Sequence, residues 1–81
     1  MEKLRKEINE IDAQMRELFE KRMDVSKRIG EYKKKHQLPV YDPEREQTVI
    51  KNNTAKLNDQ QLAPLYEDFL IHLMLLSKKI Q

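Results

Sequence analysis

Leu4, Ile8, Ile11, Met15, Leu18, Arg22, Val25, Ile29 and Tyr32 follow one another at alternating steps of four and three. That spacing traces one face of an α-helix, where side chains three and four apart lie above one another. Every member of the series except Arg22 is apolar or aromatic, so the pattern predicts one helix over about 2–36. Leu38-Pro39 ends it, because the residue before proline is pushed out of the α region. A second helix is predicted over about 42–52, with Asp42 as a suitable N-cap and Pro43 at the first helical position. Asn52-Asn53-Thr54 and Asn58-Asp59 bracket a polar connection. A third helix over about 59–80 carries the stripe Leu62, Tyr66, Phe69, Leu70, Leu73, Met74, Leu76 and Ile80; Pro64 leaves its start open by a few residues. No strand pattern, internal repeat or low-complexity segment occurs. The fold class is therefore all-α, a single domain 1–81 with one long, one short and one medium helix.

The long helix sets the architecture. At 1.5 Å per residue it is a rod of roughly 50 Å, whereas a compact globule of this length is only about 30 Å across. The rod overhangs any monomeric globule, yet its apolar face continues to both ends. A second copy must cover the excess, giving an intertwined homodimer of six helices. A plain two-stranded coiled coil would leave the other two helices without a core. The chain is also near the lower size limit for a self-sufficient core, where domains recruit disulfides, a metal or a partner. There are no cysteines, which excludes disulfides and thiolate zinc sites. His36 and His72 are far apart and lack acidic neighbours at ligand spacing, so no metal is expected. Oligomerisation is the device that remains.

Charged residues make up 37% of the chain and glycine occurs once, a helix-rich composition. The net charge is only +2 and the two signs are interleaved, which argues against nucleic-acid or polybasic membrane surfaces. Lys33-Lys34-Lys35 reads at first as a solvated helix end. Residues 1–7 hold no apolar signal-peptide core, and no apolar stretch is long enough to span a membrane. A cytoplasmic location is the expectation.

The chemistry begins with Arg22 in the apolar seam. It either snorkels or pairs with a carboxylate of its own fold, or it awaits a ligand anion. Lys33 lies eleven residues on, about three turns along and only about 20° round the helix. Ser26 and Ile29 lie between them, so one face presents two cations across a small or apolar surface. Gly30 sits beside them. A mid-helix glycine costs about 1 kcal/mol relative to alanine; close approach by a ligand or backbone would justify it, and helix packing is the plainer account. Arg45 and Glu46 form either a solvated first turn or part of a site. Ser77 and Gln81 continue the row of Leu73 at steps of four, ending an apolar face with two hydrogen-bonding side chains.

Together these residues resemble the all-helical chorismate mutase family over almost the whole chain. The resemblance is carried by Leu4-Arg5-x-x-Ile8-x-x-Ile11-Asp12, Glu20-Lys21-Arg22, Ile29-Gly30-x-x-Lys33, Asp42-Pro43-Glu44-Arg45-Glu46 and Ser77-x-x-x-Gln81. An ungapped match puts Leu73 and Ser77 at the last polar positions. A slightly shorter connection puts Ser77 and Gln81 there and leaves Leu70 and Leu73 in the apolar pattern; that register is preferred. The resemblance implies the intramolecular Claisen rearrangement of chorismate to prephenate, at the branch toward phenylalanine and tyrosine. It implies no cofactor. Arg22 and Arg5 would bind the carboxylates of this small dicarboxylate, Lys33 and Gln81 would donate to its ether oxygen, and Asp42 and Glu46 would hold the ring hydroxyl. Arg45 and Ser77 would complete the polar wall, with Lys33, Gln81, Glu46 and Arg22 carrying catalysis.

Arg5 and Arg22 are roughly 25 Å apart along one helix, too far for one ten-carbon ligand. Antiparallel first helices about an axis near Ala13 and Gln14 would bring Arg5 of the partner subunit to Arg22. Two alternatives share the fold. One is an isochorismate pyruvate lyase, a type that tends to lack the acidic pair held here as Asp42 and Glu46. The other is a non-catalytic helical module that docks on or regulates a pathway enzyme, a class of partner also open to a mutase.

Overall fold

The computed structural model describes residues 1–81 as three α-helices and one short 3-10 segment. Helix α1 spans Glu2–Lys35 without interruption. Glu2 stands in its first turn and Lys33, Lys34 and Lys35 in its last, each sign complementing the helix dipole. The helix stops through a Schellman-type closure. Gln37 N–H donates to the Lys34 carbonyl at 3.3 Å and Leu38 N–H to the Lys33 carbonyl at 2.7 Å. The closure needs a left-handed residue, and Gln37 supplies it at φ 56, a position that glycine usually fills. Proline at 39 then forbids resumption.

Helix α2 spans Pro43–Ala55. Asp42 caps it, its Oδ1 accepting from the Arg45 backbone N–H at 3.1 Å. The helix runs three residues past the end expected at 52. Asn53 and Thr54, which suggest a loop by composition, fold their side chains back onto the carbonyls of Val49 and Ile50, each at 2.8 Å. Such back-bonding lets polar residues remain helical. The third helix also differs from expectation at its start. Gln60–Leu62 is wound as a 3-10 turn capped by Asp59, and α3 proper spans Ala63–Ile80. Pro64 thus falls in the first α-helical turn, where its missing N–H costs nothing. Gln60 Nε2 donates to the carbonyls of Leu57 at 2.7 Å and Thr54 at 3.1 Å, tying the connection to the end of α2.

Helix α3 packs against both α1 and α2. The molecule measures 51 × 24 × 16 Å, so α1 projects well beyond the other helices. Leu70 and Met74 are its only buried apolar side chains. The seam of α1 is open along its length, with Leu4 60%, Leu18 63% and Tyr32 60% exposed. No helix is long and apolar enough to cross a membrane.

Candidate active site

The part of α1 that does meet α3 carries the candidate residues. Arg22, Ser26, Ile29 and Lys33 fall on one face and line a cavity of about 400 Å³. The last turns of α3 supply Ser77, Lys78 and Gln81 to the same cavity, and the cap and first turn of α2 supply Asp42, Arg45 and Glu46. Leu38 and Val40, in the segment between α1 and α2, close one side. Seven of the eight polar residues singled out from sequence therefore share one cavity in a single chain. The exception is Arg5. It lies near the far end of α1, exposed, with Glu2 at 3.5 Å as its ion-pair partner.

The side chains within the cavity are already ordered by one another. Arg22 Nη1 donates to Ser77 Oγ, and Ser77 Oγ donates to the Leu73 carbonyl at 2.9 Å. Ser26 and Ser77 are buried, so the polar floor of the site lies at the junction of α1 and α3. Partial burial pulls Arg22 below its ordinary basicity by desolvating its charge, with Tyr66 acting in the opposite sense. A guanidinium that has lost water and has no carboxylate partner is primed for an external anion.

Lys33 Nζ donates to Gln81 Oε1 at 3.2 Å and to the Val40 carbonyl at 2.9 Å. Two of its three N–H bonds are thereby used, leaving one for a ligand. Accepting through Oε1 leaves the Gln81 amide N–H groups as the donors available to the cavity. Gln81 reaches this position because α1 has no side chain at Gly30. A Cβ there would meet the Gln81 Cα at 2.7 Å and its carbonyl oxygen at 2.8 Å. The glycine thus permits a backbone approach. Leu73 lines a different, larger cleft of about 840 Å³ with Met15, Leu18, Phe69 and Leu76. Ser77 and Gln81 both line the smaller cavity, and Leu73 does not.

Sequence reasoning missed three contributors. Val40 offers only its backbone carbonyl, which has no side-chain signature. Tyr41 lies beneath the Lys78 ammonium, 4.6 Å from its ring centre. Lys78 itself bonds Glu46, Nζ to Oε2 at 2.8 Å; its adjacency to Ser77 and its place three residues before Gln81 were the available signals.

The family profile described as Chorismate mutase type II matches residues 4–81. The chain is 33% identical over 90 aligned residues to the "Bifunctional chorismate mutase/prephenate dehydratase" of Aquifex aeolicus (strain VF5), covering 100% of this chain and 25% of that protein. It is 35% identical over 72 residues to the "T-protein" of Haemophilus influenzae (strain ATCC 51907 / DSM 11121 / KW20 / Rd), covering 88% of this chain and 19% of that one. It is 32% identical over 66 residues to the "4-amino-4-deoxychorismate mutase" of Streptomyces pristinaespiralis, covering 82% and 51% respectively. The chain thus spans about a quarter or less of the first two relatives. No solved structure matches.

Proposed function

The chain belongs to the chorismate mutase type II family, and from that premise we propose that its cavity rearranges chorismate to prephenate. The observation that carries this reading is the pairing, in one cavity, of Arg22 with Ser77 and of Lys33 with Gln81. The rearrangement breaks a C–O ether bond and forms a C–C bond within one molecule. Its demands are a folded, near-attack conformer and donors where negative charge grows. Arg22 clamps a carboxylate through the N–H groups that Ser77 leaves free. Lys33, through its remaining N–H, and Gln81, through its amide nitrogen, donate to the ether oxygen as it gains charge. Asp42 and Glu46 are the acceptors available to a ring hydroxyl: Asp42 Oδ1 is engaged by the α2 cap and Glu46 Oε2 by Lys78, leaving one oxygen of each. Arg45, in the same turn, adds positive charge to the wall.

The test is to follow loss of chorismate absorbance with the purified protein and to identify the product. Prephenate supports the proposal. Pyruvate would assign the chain to the lyase alternative, against which the presence of both Asp42 and Glu46 in the cavity weighs. Chorismate binding without turnover would leave the docking module.

The site is completed by a second copy. A folded monomer of this mass exposes roughly 5,200 Å², against 7138 Å² here. The excess is of the size that an obligate dimer interface buries on each chain. Exposed apolar side chains line the α1 seam and the cleft beside Leu73, which offer the surface for such an interface. Sedimentation at micromolar concentration is expected to give about twice the monomer mass, and a compact, active monomer would end this model. In the dimer, Arg5 of the partner subunit supplies the second carboxylate clamp.

The same picture assigns Gly30 a role in positioning Gln81. Gly30→Ala is expected to displace the last residue, since the clash is with backbone and no rotamer change relieves it. A shift of this kind costs roughly 10-fold to 10²-fold in kcat. The helical fold by circular dichroism should persist, because alanine is the better helix former. Full activity in a folded Gly30→Ala variant would remove Gly30 and the Gln81 placement from the mechanism.

A further inference from the structure

Only one ion pair in the molecule joins two helices. Lys78 of α3 and Glu46 of α2 meet at 2.8 Å, with side chains 25% and 24% exposed. The others, Arg5–Glu2 and Arg28–Asp24, are local to α1 and well exposed. The Lys78 ammonium is held from a second side by the face of Tyr41. Both members of the pair line the ligand cavity. A pair so placed sets the charge of one corner of that cavity, beyond any contribution to holding α2 on α3.

We propose that Lys78 is a specificity-determining residue, which by engaging Glu46 suits this corner to a neutral ring hydroxyl and turns it against a ring ammonium. The inference rests on the rearrangement proposed above. The cavity's acidic residues are Asp42 and Glu46. Left to themselves, two carboxylates would attract a cationic ring substituent. Lys78 neutralises one of them while leaving Glu46 Oε1 free to accept from a hydroxyl. An ammonium bonded to that oxygen would stand about 5 Å from Lys78 Nζ by ordinary hydrogen-bond lengths. Like charges at that separation, in a site partly shielded from water, repel strongly enough to discriminate. The wall thus combines an acceptor for the right group with a repulsive element against the wrong one.

The experiment compares kcat/KM for chorismate and for 4-amino-4-deoxychorismate in the wild type, Lys78→Met and Lys78→Arg. The wild type is expected to prefer the ring hydroxyl by on the order of 10²-fold. Lys78→Met should narrow that preference at least about tenfold, and Lys78→Arg, which keeps the charge, should retain most of it. An unchanged ratio in a folded Lys78→Met variant, or an equal loss in Lys78→Arg, overturns the inference while leaving the mutase assignment intact. A wild type that rearranges neither compound overturns both. Should Lys78→Met fail to fold, Lys78→Gln removes the same charge with a polar side chain and carries the same comparison.

Discussion

Replacing Lys33 by alanine is expected to lower kcat by roughly 10²-fold or more while KM changes little, by analogy with removal of an oxyanion donor. Lys33 is half-buried and two of its protons are committed to Gln81 and Val40, so its ammonium is held in place before the substrate arrives. A donor fixed in advance stabilises charge that appears only as the ether bond breaks, and such an interaction is felt in kcat. Its loss also frees Gln81, whose Oε1 then has no partner and whose amide is no longer turned toward the cavity. The double effect makes alanine worse than a simple deletion of charge. Lys33→Arg keeps the charge but cannot reproduce the compact geometry of an ammonium, so it should fall between the two. Steady-state kinetics would decide: unchanged kcat with a raised KM would mean that Lys33 binds the ground state and transition state alike.

The second large effect is a rescue. Arg5→Ala and Arg22→Ala are each expected to be nearly inactive, since the proposed shared site takes one of these residues from each chain. Mixing the two variants and allowing subunit exchange produces heterodimers. One site of each heterodimer then carries both defects and the other carries neither. Because half of an equilibrated mixture is heterodimer, activity should return to about a quarter of wild type. Within one chain Arg5 cannot reach the cavity: α1 is unbroken from Glu2–Lys35 and holds the two residues roughly 25 Å apart. Exchange confirmed by mass, with activity still at the single-variant level, would refute a shared site.

The long helix was legible because one period of alternation ran through it without a break, and because Pro39 marked its end. Arg22 was legible as the lone charge in that period. The ends of α2 and α3 were less so. Asn53 and Thr54 are loop formers by composition, yet they stay in the helix with their side chains folded back onto Val49 and Ile50. Pro64 was ambiguous until the 3-10 turn before it absorbed the change of winding. In the site, spacing along one helix identified Arg22, Ser26, Ile29 and Lys33 as neighbours, because helical geometry alone relates them. Lys78 was hidden for the opposite reason. A lysine in the last turn of a helix is adequately explained by the dipole, and its bond to Glu46 depends on how α3 lies on α2, which periodicity within either helix does not encode. Val40 was hidden more deeply, since any residue at that position would offer the same carbonyl.

The overhang of α1 bears on what stability means for this chain. With Leu70 and Met74 as the only buried apolar side chains of the single chain, the isolated protomer has little to offset the ordering of its backbone. In the proposed dimer, folding and association become one mass-action equilibrium, and the free energy belongs to the pair. A melting temperature for such a protein is a function of how much of it is in the tube. For that dimer, dilution would act as a denaturant, and the proposed activity would switch on with abundance.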